Sequence, residues 1–322
     1  MTNNPVQRVR LDYAAAASRD LLNNLSGLAA DARMLWTVSD EGRTFECLEA
    51  HEAGYVLARQ YRIDDFIARW PGVEESKGGA ELDLEAVDVA QGALWLCGSH
   101  CHVRLAHDDD DKDLLRSKIR ARPSRHLLAR ITLMDDGSRL GKMKVVSRKG
   151  AGSIRGVLAG DAYLKPFLDL PSKENGLDIE DLVVTEDEVL LGLRGPRLDN
   201  SAVVVHLRLT KDLEVKSYRL SFLDLGSLAI RDLCRNGSAI FIVAGPVGDA
   251  MGPFRLYRWQ PAATSVIQHP ENLYEWPAGS EKPEGLCFLE RNGKPGCLIV
   301  YDRPDNSRIK DSVYEADWMV ID

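Results

Sequence analysis

"LDIEDLVVTEDEVLLGLRGP", residues 177–196, reads as an acidic turn, an apolar run, a polar hairpin, a second apolar run and then an arginine. Short apolar runs bounded by turn residues are the signal of an antiparallel hairpin buried on both faces. Whether this is one hairpin or one copy of many decides the fold, and the pattern recurs. Glu180 can be set against Ser26 in "NLSGLAADARMLWTVSDEGR", Glu85 in "LDLEAVDVAQGALWLCGS", Arg231 in "LAIRDLCRNGSAIFIVAGP" and Glu284 in "KPEGLCFLERNGKPGCLIVYDR". Two residues after each anchor stands an apolar residue: Leu28, Val87, Leu182, Leu233 and Leu286. Ten residues after the first four anchors stands a large apolar one, Trp36, Trp95, Leu190 and Phe241; a longer turn in the last copy moves its counterpart to Leu298.

Further strand-like runs follow the hairpins: "RTFECLEA" and "YVLARQYRI" after the first, "AVVVHLRL" and "LEVKSYRL" after the third, "FRLYRW" and "TSVIQH" after the fourth. Four strands per unit, repeated around an axis, describe the blades of a β-propeller. After the fifth hairpin only "YEADWMVID" remains, one strand short of a blade, while "VQRVRLDY" at residues 6–13 precedes the first anchor. Pairing the two would close the ring and cover its open edges. The expectation is an all-β, five-bladed propeller over residues 1–322, closed by its N-terminal strand and its C-terminal blade. The anchors stand 59, 95, 51 and 53 residues apart, and the long interval leaves room for a sixth, degenerate blade. An insertion around 100–126 and a helical approach, "SIRGVLAGDAYLKPFLDL" at 153–170, account for that interval more simply. The four aspartates at 108–111 read as a solvated loop within the insertion.

The chain has 322 residues, 44% apolar and 28% charged, with a formal net charge of −8. That balance argues against nucleic-acid or anionic-membrane partners, which require clustered Lys and Arg. No run is long or apolar enough for a signal peptide or a membrane helix, so a cytoplasmic location is expected. Cys47, Cys97, Cys101, Cys234, Cys287 and Cys297 lie in strand-like runs and read as reduced core thiols. "CGSHCH" at 97–102 lacks the second pair that would close a tetrahedral zinc site.

"ENGLDIEDLVVTEDEVLLGLRGP" followed by "SAVVVHLRL", together with "KPEGLCFL" and "LIVYD", resembles a bacterial family of domains of unknown function allied by fold with the phytase-like and esterase-like β-propellers. The resemblance covers most of the chain and implies a propeller. Glu284, Gly285 and Leu286 are also similar to the glutamate motif by which calcium-dependent propeller lactonases place a metal ligand.

In a hairpin the start of the first strand and the end of the second share one edge. This pairs Ser26 with Asp40, Glu85 with Ser99, Glu180 with Arg194, Arg231 with Gly245 and Glu284 with Asp302. If the first strands are innermost, all five pairs ring one mouth of the channel, with Arg43, His100 and Arg303 beside them. Glu85, Glu180 and Glu284 could ligate Ca2+ or another divalent cation, which wants several oxygen ligands. Alternatively Arg194 and Arg231, with Arg43 and Arg303, neutralise the glutamates directly or hold an anionic ligand. His100 is the candidate general base, and Asp40 and Asp302 are the other candidate catalytic groups. Asp83 and Asp178 either extend the rim cluster or cap turns; Asn175 and Lys282 lie on rim loops; Trp36 and Trp95 read as packing between blades. No established catalytic motif is present. The reading is therefore metal-assisted hydrolysis of a phosphoester or lactone at the mouth, or a non-catalytic propeller that binds a small molecule or protein.

Overall fold

Each hairpin found by the repeat forms the inner half of a four-stranded antiparallel sheet. The structure is a computed structural model and describes residues 6–31, 33–67, 81–104, 118–134, 137, 139–263 and 266–321. The first blade runs outward through Leu25–Ala30, Met34–Ser39, Thr44–His51 and Gly54–Arg62. The second comprises Leu84–Ala90, Ala93–Gly98, Leu128–Met134 and Arg139–Val145. The third comprises Asp178–Val184, Val189–Leu198, Ser201–Leu209 and Val215–Leu223. Ala229–Asn236, Ala239–Gly245, Arg255–Trp259 and Glu271–Glu275 make the fourth. The fifth is Lys282–Arg291, Lys294–Asp302, Val313–Val320 and, outermost, Val6–Asp12. The first strand of each group packs against the first strand of the next, and the fifth returns to the first, so the inner strands line a closed ring.

Closure is made by the strand expected to make it. Val6–Asp12 pairs antiparallel with Val313–Val320, from Val6 opposite Met319 to Asp12 opposite Val313. Its other edge pairs in parallel with the start of Gly54–Arg62, Arg10 facing Gly54, which joins the fifth blade to the first. An edge strand covered on both sides offers no template for association.

The core divides between neighbouring blades rather than pooling at one centre. Five apolar clusters form, one in each interface. The residue two after each anchor is at most 3% exposed in all five copies and faces the preceding blade. Trp36 lies among side chains of the first two blades and Trp95 among those of the second and third, as their place in the repeat implies. All six cysteines are free and buried.

Three expectations shift. The fourth strand of its blade is not drawn from "TSVIQH", whose Thr264 and Ser265 lie outside the described residues: Glu271–Glu275 takes that edge, where Arg255 and Arg258 ion-pair across the strands with Glu275 and Glu271, and Val266 and Ile267 are exposed. The excursion near residue 100 is a two-stranded ribbon, His102–Arg104 against Ile119–Ala121, and the four aspartates at 108–111 lie outside the described residues. The approach to the third blade is helical over Ile154–Leu158, capped by the Ser153 hydroxyl, and then at the 3-10 turn Lys165–Phe167. None of the described helices is long and apolar enough to cross a membrane.

Candidate functional site

The anchors share a backbone feature that no sequence pattern announced. In every inner hairpin the pairing register slips at the anchor: Leu25 faces Ser39 and Gly27 faces Val38, with Ser26 left over, and Glu85, Glu180, Arg231 and Glu284 are skipped in the same way. Such a bulge inserts one unpaired residue and re-aims its side chain. Five bulges at one level of the ring put Glu85, Glu180, Arg231 and Glu284 within electrostatic reach of one another at the channel mouth.

A pocket of about 630 Å³ opens there. Glu85, Arg231 and Glu284 line it, with Asp40, Arg194 and Asp302 from the ends of second strands, as the hairpin geometry implies. Asp83, Lys282 and Arg303 also line it. Glu180 lies just beneath, 1% exposed.

One side of this mouth is a chain of ion pairs. Arg194 donates from Nε and Nη2 to Asp178 Oδ2 at 3.0 and 2.6 Å, and its Nε lies 2.9 Å from Glu180 Oε1. Arg231 Nη1 lies 3.3 Å from Glu180 Oε2, and Arg231 donates through Nη2 to Glu284. Asp178 is 0% exposed and Arg231 and Glu284 8% each. Burial nevertheless holds Glu180 and Glu284 at about 7, above the usual carboxylate range, against the pull of the arginines. Glu180 and Glu284 are thus taken by guanidinium groups, and no set of three or more His, Cys, Asp or Glu among the described residues is arranged to hold a metal. Arg194 and Arg231 pair with Glu180 and Glu284, while Glu85 does not join them.

The opposite side is differently made. Arg125 donates to Asp83 Oδ2 at 2.6 Å and to Glu81 Oε1 at 2.7 Å, and the Ser99 hydroxyl donates to the same Asp83 carboxyl. Lys282 Nζ lies 3.7 Å from Asp302. Glu85, 8% exposed, has no hydrogen bond or ion pair among the described residues. Burial first, then Glu180, Asp83 and Asp40, push its carboxyl well above the usual range. Asp40 has an Oδ1 without a partner among the described residues. Its pKa is pushed up to about 8 by burial, then by Asp83, Asp302 and Glu284.

Two of the residues expected at the mouth lie elsewhere. His100 adopts a left-handed φ of 57°, and its buried ring turns inward, Nε2 3.1 Å from the Leu127 carbonyl and stacked on His126 at 5.4 Å. Burial, then His126, holds its pKa well below the ordinary value, so it is neither placed nor poised as a base at the mouth. Arg43 points outward onto Asp64, which binds its Nε at 2.9 Å. Asn175 also serves the backbone: its side chain accepts from Arg197 N at 2.8 Å. Arg125, Asn24, Lys173 and Phe254, which line the pocket, went unread. Lys173 sits in the same rim loop as Asn175, and Arg125 lies just past the insertion, where the repeat gave no register.

Residues 24–316 match the model of a family described as "Protein of unknown function (DUF3616)". No match is found among curated proteins. Among solved structures, an exo-beta-1,3-galactanase from Phanerochaete chrysosporium is 10% identical with a TM-score of 0.50, covering 100% of this chain and 65% of that one. A glutaminyl cyclase from Myxococcus xanthus is 10% identical with a TM-score of 0.48, covering 99% and 100%. A GH43_1 enzyme from Xanthomonas citri, also 10% identical, has a TM-score of 0.48 and covers 94% and 88%. At 10% identity the likeness to the galactanase extends to the fold alone.

Proposed function

The chain belongs to the DUF3616 family, and on that premise we propose that it is a hydrolase of small molecules whose active site is the channel mouth, with an ester or lactone as its substrate. The observation that carries this reading is Asp40, a pocket-facing carboxyl with an unpartnered oxygen and a pKa of about 8, close enough to feel Asp302. A carboxyl that keeps its proton near neutral pH, with a second carboxyl beside it, is the raw material of acid and base chemistry. Asp302, beside the Lys282 ammonium, is the carboxylate that takes a proton from the attacking water. Asp40, protonated at neutral pH, donates to the leaving oxygen. The mechanism of metal-assisted hydrolysis drawn from the sequence is set aside because arginines already hold Glu180 and Glu284. A phosphoester is the less suitable substrate, since Arg194 and Arg231, which would receive it, are already ion-paired with carboxylates.

A panel of chromogenic esters and lactones tests this directly. We expect kcat/KM to fall as pH rises past about 8, where Asp40 loses its proton, and Asp40→Asn to lower kcat about 100-fold or more. Turnover that is unchanged in Asp40→Asn, or no turnover across the panel, would sink the proposal.

A further inference from the structure

The charge left over in the pocket identifies the kind of ligand it takes, an inference that rests on the mouth being the ligand site. Each cation facing the floor is already engaged: Arg125 by Asp83, Arg194 by Asp178 and Glu180, Arg231 by Glu180 and Glu284, Lys282 by Asp302. Arg303 also lines the pocket but is exposed at its rim, where solvent screens it from the floor. Glu85 is left over, more than nine-tenths buried and aimed into the cavity with no partner among the described residues, and Asp40 is only partly satisfied.

A buried carboxyl without a partner carries a large desolvation penalty when ionised, and it escapes by binding a proton or a cation. The groups that face Glu85 make the deficit worse: Glu180, Asp83 and Asp40 oppose its ionisation, while Arg194 and Arg231, which favour it, are each shared with two other carboxylates. An added anion would deepen the deficit. A neutral polyol would leave it as it is. A cation would remove it. The volume of about 630 Å³, and the lack among the described residues of three or more His, Cys, Asp or Glu arranged around one point, suit an organic cation rather than a metal ion, whose coordination needs several oxygens at once. Phe254 and Val247 supply an apolar wall for an alkyl stem.

We propose that the mouth pocket recognises a small molecule carrying a protonated amine, which pairs with the Glu85 carboxylate. Burial and the neighbouring carboxyls favour the protonated form of Glu85 in the empty pocket, so binding displaces a proton to solvent and tightens as pH rises.

Calorimetry on the full chain with putrescine, sorbitol and inorganic phosphate as probes tests this, run in two buffers of different ionisation enthalpy. We expect putrescine to bind with net release of protons and Glu85→Gln to weaken it about tenfold or more. The amide mimics the protonated carboxyl, so the variant should fold; its melting temperature verifies that. Should it not fold, the wild-type pH series still decides, since affinity for the amine must rise with pH. Tighter binding of phosphate or sorbitol than of putrescine, putrescine affinity unchanged in Glu85→Gln, or affinity that falls with pH would each overturn the proposal. The hydrolase reading fails separately. Amine binding without ester turnover leaves this inference standing, and turnover of neutral esters without amine binding removes it alone.

Discussion

The two sides of the channel mouth use the same residue types to opposite ends. Across the third, fourth and fifth blades, Asp178, Arg194, Glu180, Arg231 and Glu284 alternate in sign, each touching the next. Across the first and second, Asp40 and Glu85 face the cavity without such partners. Alternation at full burial locks three blades to one another, because removing any member strands a charge in a poor solvent. The other side keeps its chemistry open. The difference teaches that ion pairing at the mouth belongs to the scaffold, and on our proposal its incompleteness serves the ligand.

The largest expected effect breaks the closed side. Arg231→Met leaves Glu180 and Glu284 facing each other, and denaturant unfolding should register a loss of about 3–5 kcal/mol. A loss under 1 kcal/mol would show that the ion-pair chain contributes little. The open side should respond with the reverse sign. Glu85→Gln removes a carboxyl that is costly to ionise, so at pH 8 the variant should be more stable than the wild type by about 1 kcal/mol or more. A destabilised variant at that pH would mean Glu85 has a partner in solution.

A smaller effect concerns pH. Asp40 and Asp181 have folded pKa values of about 8, above their unfolded values near 4, so folding takes up protons between those limits. Their stabilising contribution is complete below about pH 4 and is lost as pH rises through 8. Thermal unfolding should therefore show a melting temperature that declines from pH 6 to 9. Asp232→Asn should flatten that slope. Asp232 hydrogen-bonds Asp181 and accepts from Leu286 N at 2.6 Å, a carboxyl pair that stitches adjacent blades just below the mouth and can hold only one charge. The smallest expected change is with metals: Ca2+, Mg2+ and EDTA should each leave the melting temperature within about 1 °C, and a rise with Ca2+ would favour the glutamate-ligand reading instead.

How much of this was legible follows from what repeats. The apolar residue two after each anchor is fixed by inter-blade packing, so it recurs and betrays the blades; Leu182 and Leu233 could be found by comparison with each other. The anchor itself varies among Ser, Glu and Arg because the bulge turns it into the channel, where no packing constrains it. Its level in the ring could be read, but not its partner. That Arg194 would reach Asp178 and Glu180 together depends on where one bulge points two side chains. His100 illustrates the opposite error: its position in the chain was near the mouth, but a left-handed turn at a single residue sent the ring inward. Arg43 was lost to Asp64, a neighbour contributed by the far end of its own blade. Non-repeating segments such as the one holding Arg125 carried no periodic signal at all.

The seam between Val6–Asp12 and Val313–Val320 has a consequence for biosynthesis. Arg8 and Glu315 touch across 307 residues, so the two closing strands can meet only after everything between them has been made. Until Val313–Val320 is made, the groove where Trp318 packs has no occupant, whereas Val6–Asp12 and Gly54–Arg62, both made early, can already pair. Contacts of such sequence separation form late and slowly. The ring thus closes late, and its completion, rather than the folding of any one blade, sets when the pocket first exists.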